Sequence, residues 1–170
     1  MPYVPRLTAP AGDDPLYYSS YNTYFRDGWG MPNCTAYAFG RCAELMNCYP
    51  TQPPVDPGEN AEDWYNYPDG LPRGTTPQLG AIACYRDGDF TGWGHVCVLE
   101  RDNGDGTWLV SESAYNGYTF RASHSIAANG TYGYGNYIFQ GYIYVPWYNS
   151  GFKWWMAKKL IYQRKGVYTP

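Results

Sequence analysis

Apolar residues along this chain keep two different periods, and the change comes near residue 80. Before it they recur at helical spacing. Counting from Cys34, the residues Ala38, Cys42, Leu45 and Met46 return every three to four positions. This predicts a helix from residue 33 or 34 to 46, with those side chains inward and Arg41 and Glu44 outward. The turn Gly28-Trp29-Gly30-Met31-Pro32 leads into it, and Cys48-Tyr49-Pro50 with Pro53-Pro54 ends it. Upstream, Asp14 before Pro15 has the form of a helix cap with proline at the first helical position. Residues 16–25 then read as a short helix, although their tyrosines suit a strand-like segment equally well. Asn60, followed by Glu62 and Asp63, caps another short helix.

After Gly80 the pattern is that of strands, at residues 81–85, 95–99, 107–113 and 137–145, the last broken or bulged at Gly141, with a shorter one at 118–122. Helices first and strands afterwards predict an α+β fold, N-terminal helices packed on an antiparallel sheet. The chain divides into an N-terminal arm with a short helix (1–24), a domain (25–146) and a tail (147–170). Lys153, Lys158, Lys159, Arg164 and Lys165 lie in that tail with no acid among them, so it reads as a basic aromatic tail or a linker to a further module.

A chain of 170 residues is long enough for one domain with a proper core. Its 20 Gly, 14 Pro and 19% aromatic content weigh against an all-helical fold. The net charge is -3, so no basic field covers the chain and nucleic acid is not an expected partner. A surface rich in Tyr and Trp suits sugars and peptides better. The five cysteines, at 34, 42, 48, 84 and 97, are odd in number and irregular in spacing, which argues against a full disulfide framework. No C-x-x-C pair marks a zinc ribbon. Reduced thiols and cytosolic synthesis are expected, with a Cys42–Cys48 bond as the alternative. No apolar h-region follows Met1, so no signal peptide is expected. No run approaches the ~18 apolar residues of a membrane span. A monomer without metal or cofactor is expected.

Candidate chemistry starts at Cys34. The first turn of a helix presents unpaired N–H groups and the positive end of the dipole, and both favour a thiolate. A thiolate needs a base and a group to orient that base. The strands at 95–99 and 107–113 are joined through Asn103-Gly104, which favours a two-residue turn. A turn centred there sets Leu99 opposite Trp108, Cys97 opposite Val110 and His95 opposite Glu112; a one-residue bulge at Gly106 would shift this register. Directly opposed side chains have Cβ atoms about 4.5–5.5 Å apart, so the imidazole and the carboxylate become neighbours. The face holding His95, Cys97 and Leu99 is apolar enough to pack beneath a helix. If that helix begins at Cys34, the thiol lies over the polar end, as in a nucleophile–base–carboxylate triad. Cys42, Cys84 and Cys97 read as core filler, Cys48 as inert, and His124 as a satisfied structural histidine.

Asn33-Cys34-Thr35-Ala36-Tyr37-Ala38, Gly80-Ala81-Ile82-Ala83-Cys84, Gly92-Trp93-Gly94-His95-Val96-Cys97-Val98-Leu99-Glu100 and Val110-Ser111-Glu112-Ser113, closed by Gly141-Tyr142-Ile143-Tyr144-Val145-Pro146, resemble the CHAP family of cysteine- and histidine-dependent amidohydrolase/peptidase domains in cell-wall hydrolases and phage lysins. The resemblance covers roughly residues 25–146. It implies a papain-like fold, with Cys34 as nucleophile, His95 as general base and Glu112 as the group that orients His95. The implied substrate is an amide bond of bacterial peptidoglycan, cut as an N-acetylmuramoyl-L-alanine amidase or an endopeptidase. A lysin made in a host without a signal peptide, released through a holin or carried on the virion, would act on the wall. Family members commonly carry Asn two residues after the Glu; here that residue is Ala114, with Asn116 the nearby substitute. Where some members bind calcium, this chain has Phe25-Arg26-Asp27 and Ala36, so that site is expected to be absent. Trp29, Trp93 and Tyr115 flank the Cys34–His95 line in sequence and are candidates to line a groove. Two other readings stay open. One is a non-catalytic wall-binding or phage-tail module, for which Ala114 would mark lost activity. The other is a papain-like peptidase acting on protein.

Overall fold

The computed structural model describes residues 2–55, 59–89 and 92–147. Asp14 accepts the Leu16 N–H and opens a one-turn helix, α1 (Pro15–Tyr18). Asn22 caps a second single turn, α2 (Thr23–Arg26), so the stretch read as one short helix is two. Asn33 takes the Thr35 N–H at 3.0 Å and starts α3 (Cys34–Met46), which ends where Asn47 adopts the left-handed conformation at φ 47°. A 3-10 helix follows at Ala61–Asn66, and Asn60 stands at its cap position without a side-chain capping bond.

Six strands form one sheet: β1 (Arg73–Gly74), β2 (Ile82–Asp87), β3 (His95–Asp102), β4 (Thr107–Glu112), β5 (Arg121–Ala127) and β6 (Tyr137–Ile143). Their order is β1-β6-β2-β3-β4-β5 with antiparallel neighbours, and the α+β class expected from the sequence holds. β5 runs later than the strand expected at 118–122. The irregularity expected at Gly141 is a bulge: Gly141 pairs with Cys84 and Phe139 with Tyr85, which leaves Gln140 as the extra residue.

The sheet divides the core in two. Ile82, Cys84, Val96, Val98 and Ile143 pack with α3, α1 and α2. Ala83, Tyr85, Cys97, Leu99, Val110, Ile126 and Tyr142 pack on the other face, with Tyr132. The face expected beneath the helix was that of Cys97 and Leu99, and the helix covers the alternate one. The two faces are equally apolar along β3, so alternation could not choose between them.

Helix α3 is buried nearly all round, which corrects the outward placement of Arg41. The sheet covers one side, and α1, α2 and the N-terminal arm cover the others. Gly40 lets the Tyr17 ring lie directly on the helix backbone. Arg41 reaches Glu100 on β3 through Nε (3.0 Å) and Nη2 (2.8 Å). Tyr3 Oη (2.7 Å), Arg6 N–H (2.9 Å) and Ser111 Oγ (2.6 Å) donate to the same carboxylate. Arg6 of the arm also pairs with Glu44, as does Arg41. All five cysteines are free. No described helix is long and apolar enough to cross a membrane. The basic tail read from the sequence lies outside the described residues beyond Trp147.

Removing one partner of a buried ion pair strands the other charge. Arg41→Met leaves the Glu100 carboxylate buried without its counter-charge, and we expect it to lower unfolding stability by about 3–5 kcal/mol. Urea unfolding measures this; a midpoint equal to wild type would show that the pair anchors nothing.

Candidate active site

Cys34 is the first residue of α3 and is 9% exposed. It opens into a cleft of about 330 Å³, also lined by Asn33, Thr35, Tyr24, Glu59, Asn60 and Gly94. Trp29, Trp93 and Tyr115 stand on the rim of that cleft, each half-exposed, and the Trp29 and Tyr115 rings lie 5.9 Å apart. A larger cavity of about 540 Å³ lies under the N-terminal arm, against Arg41, Glu44 and Leu45, away from the thiol.

His95 is the first residue of β3 and is buried. Gly94 before it has φ +64°, and a Cβ there would run into the Tyr85 carbonyl and the backbone of Glu62. The chain enters β3 at an angle that only glycine accepts. Glu112 is the last residue of β4 and is also buried. His95 Nε2 and Glu112 Oε2 are 2.7 Å apart.

The contact is as expected, but the register beneath it is not. The Asn103 N–H reaches the Thr107 carbonyl at 3.0 Å, so residues 104–106 form a three-residue loop, with φ +77° at Gly104 and +85° at Gly106. A bulge at Glu100 follows, and Leu99 faces Val110 while Val98 faces Ser111. Continued, that register sets Glu112 opposite Cys97 and makes His95 its diagonal neighbour, still within reach of two long side chains.

With Nε2 held by Glu112, His95 keeps Nδ1 for the thiol. Burial pulls the His95 pKa down, but hydrogen bonding to Cys34 and Glu112 and their charge outweigh it and raise it from 6.5 to about 9. Burial pushes Glu112 up, and hydrogen bonds from His124, His95 and Tyr132 outweigh that and hold it well below the usual carboxylate range. The signs follow from linkage. The raised His95 contributes stability in full below pH 6.5 and loses it as pH rises through about 9. The lowered Glu112 contributes above pH 4.5 and loses it only as pH falls into strong acid.

Three residues at Glu112 escaped the sequence reading as members of this site. Arg121 donates to Oε1 through Nε (2.9 Å) and Nη2 (2.5 Å), and His124 Nδ1 lies 3.1 Å from the same oxygen. Tyr132 Oη donates to Oε2 at 2.6 Å. Residues three apart in a regular strand point to opposite faces. A bulge between the Val110–His124 and Glu112–Arg121 pairs turns both Arg121 and His124 to one carboxylate. His124 Nε2 also meets the Tyr132 carbonyl at 2.8 Å, so this histidine is structurally satisfied, as read, and part of the cluster as well. Only the polarity of Tyr132 and its nearness in sequence to His124 could have hinted at it.

Asn116 sits at φ 53° on the exposed turn between Ala114 and Tyr118, and the polar surroundings of His95 and Glu112 are filled by Tyr132, Arg121 and His124 instead. Among the described residues, no three His, Cys, Asp or Glu side chains stand together as a metal site.

Comparison with known proteins gives a family model described as CHAP domain, matching residues 22–114, a span that contains Cys34, His95 and Glu112. Among similar proteins is the probable autolysin LDP of Staphylococcus aureus (strain NCTC 8325 / PS 47), 37% identical over 60% of this chain and 34% of its own length. Another is the N-acetylmuramoyl-L-alanine amidase sle1 of Staphylococcus aureus (strain USA300), 36% identical over 58% of this chain and 26% of its own. A crystal structure of an N-acetylmuramoyl-L-alanine amidase from Staphylococcus aureus aligns with a TM-score of 0.47 at 26% identity, over 68% of this chain and 32% of that one. The chain thus spans about a third or less of the length of these relatives. With the family match running through more than half of its 170 residues, the chain belongs to the CHAP domain family.

Proposed function

We propose that this domain hydrolyses an amide bond of bacterial peptidoglycan, with Cys34 as nucleophile, His95 as the base and acid beside it, and Glu112 holding His95. The observation that carries the reading is a thiol at a helix start, open to a cleft, beside an imidazole whose far nitrogen is bound to a buried carboxylate at 2.7 Å. Family membership and the names of the staphylococcal relatives direct it to the cell wall.

The Cys34 thiolate attacks the amide carbonyl, and the backbone N–H of Cys34 at the start of α3 faces the developing oxyanion, the next N–H, of Thr35, being taken by Asn33. His95, protonated at Nδ1, gives that proton to the leaving amine as the C–N bond breaks, leaving a thioester on Cys34. Water then attacks the thioester, His95 takes its proton, and the carboxylic acid product leaves as the C–S bond breaks, restoring the Cys34 thiolate and the His95 imidazolium. Glu112 keeps Nε2 protonated and the ring fixed throughout. Trp29, Trp93 and Tyr115 on the rim grip the substrate by its sugar or peptide faces. The amidase name of one relative favours the bond between N-acetylmuramic acid and L-alanine over a cross-link. Bacterial autolysins and phage lysins both require this chemistry, and a holin-released or virion-borne lysin fits it equally.

Cys34→Ala is expected to cost at least about a thousandfold in rate on isolated peptidoglycan. Mass spectrometry of released fragments reads both the loss and the bond: free stem peptides identify an amidase, opened cross-links an endopeptidase. Equal cleavage by mutant and wild type would remove Cys34 from the mechanism. Binding to the wall with no fragments from either would leave the domain a wall-binding module.

The imidazolium is the active form in acylation, so kcat/KM is expected to fall as pH rises through about 9. Glu112→Gln removes the charge that supports it, and the alkaline limb should move down towards the ordinary histidine value of 6.5. A limb that stays in place would show that Glu112 does not set the His95 charge.

A further inference from the structure

Three side chains around Glu112 have no part in the three-residue mechanism, and one of them, Tyr132, touches two members of it. Tyr132 comes from the loop between β5 and β6 and is 5% exposed. Its hydroxyl donates to Glu112 Oε2 at 2.6 Å and lies 3.2 Å from His95 Nε2, at the joint between carboxylate and imidazole. Arg121 Nη2 donates to the same hydroxyl at 3.1 Å. A phenol has one proton to give and two lone pairs to offer. The proton goes to Glu112, which can only accept. The lone pairs face the Arg121 N–H and the His95 Nε2–H.

The ring is boxed in as tightly as the hydroxyl. Its centroid lies 5.1 Å from that of His95, 5.2 Å from Tyr85, 5.3 Å from Tyr137 and 4.5 Å from His124. The Tyr132 carbonyl is held by His124 Nε2 at 2.8 Å. The loop therefore delivers this hydroxyl to one place in one orientation.

We propose that Tyr132 is a positioning residue of the hydrolytic site, supplying the fourth polar group that Ala114 cannot, and setting how strongly Glu112 holds the His95 imidazolium. The inference rests on the reading of Cys34 and His95 as the reacting pair. Glu112 Oε2 is shared by two donors, and each draws on the same negative charge. With the hydroxyl present, His95 is fixed in place yet still able to release its Nδ1 proton to the leaving amine. Without it, Oε2 turns its charge wholly to His95, and the imidazolium parts with that proton less readily. The Tyr132 proton itself is not transferred.

Tyr132→Phe keeps every ring contact and removes only the hydroxyl. The chain has two histidines, so an NMR titration of the imidazole carbons resolves both, with His124→Gln to assign them. We expect the His95 midpoint in the phenylalanine variant to rise by about half a pH unit. On solubilised peptidoglycan fragments, kcat should fall about tenfold with KM within about twofold of wild type. A midpoint that stays or falls, or a kcat within about twofold of wild type, overturns the proposal. Lost thermal stability with an unmoved midpoint does so too, because it assigns the hydroxyl to structure alone. The titration needs no substrate. Wild-type protein that cleaves no peptidoglycan would count against the wall-hydrolase reading, and the His95 midpoint would still decide the role of Tyr132.

Discussion

One buried negative charge, the Glu112 carboxylate, sets what the far side of the sheet must contain. Taking a carboxylate out of water costs several kcal/mol unless donors replace the solvent. The hydroxyl next to Glu112 on β4, that of Ser111, is given to Glu100, so the donors come from elsewhere. They arrive from β3 as His95, from β5 as Arg121 and His124, and from the β5–β6 loop as Tyr132. Four successive segments of the chain are thereby tied to one pair of oxygen atoms. The bulge in the β4–β5 pairing, which elsewhere would weaken a ladder, here brings two donors to the same face.

A second buried carboxylate, Glu100, does the corresponding work on the helix side. It sits on the same β3–β4 hairpin, faces α3, and takes both Nε and Nη2 of Arg41. One hairpin thus holds the helix that carries Cys34 through one carboxylate and the imidazole of His95 through the other. The separation between thiol and imidazole is fixed from both ends by groups that share a single pair of strands. Neighbouring residues carry the two loads, since Ser111 donates to Glu100 and Glu112 follows it directly in the chain. Helix packing and active-site geometry are for this reason not independent properties of the fold.

Helix α3, strands β2, β3, β4 and β6 and the meeting of His95 with Glu112 were legible because each rests on a local signal: a cap, a period or a turn. What was not legible depends on pairing between distant segments. Arg41 reads as a solvent-facing charge in its helical period, and only the Glu100 carboxylate across the core makes burial favourable. β5 carries Arg121, Ser123, His124 and Ser125, an edge strand whose inward positions include a histidine, so its alternation hides a buried face. The face of β3 under the helix was undecidable, because Val96 and Val98 are as apolar as Cys97 and Leu99. Ala114 and Asn116 drew attention to the strand end, while the polar groups came from residues 121 to 132.

The hairpin register shows why a correct contact can rest on an incorrect pairing. The two-residue turn suggested by Asn103-Gly104 gives way to a three-residue loop, and the bulge at Glu100 adds a further shift. A strand slipped by one residue would have sent Glu112 to the other face and away from His95. The observed shift at the Val98–Ser111 end is an even number of residues from the expected pairing, so face is conserved and only opposition is lost. A histidine and a glutamate are long enough to close a diagonal gap, where an aspartate in place of Glu112 would fall a methylene short. The length of the side chain, rather than the identity of the opposed position, is what makes this contact robust. It also leaves room beside the imidazole, and the Tyr132 hydroxyl occupies it.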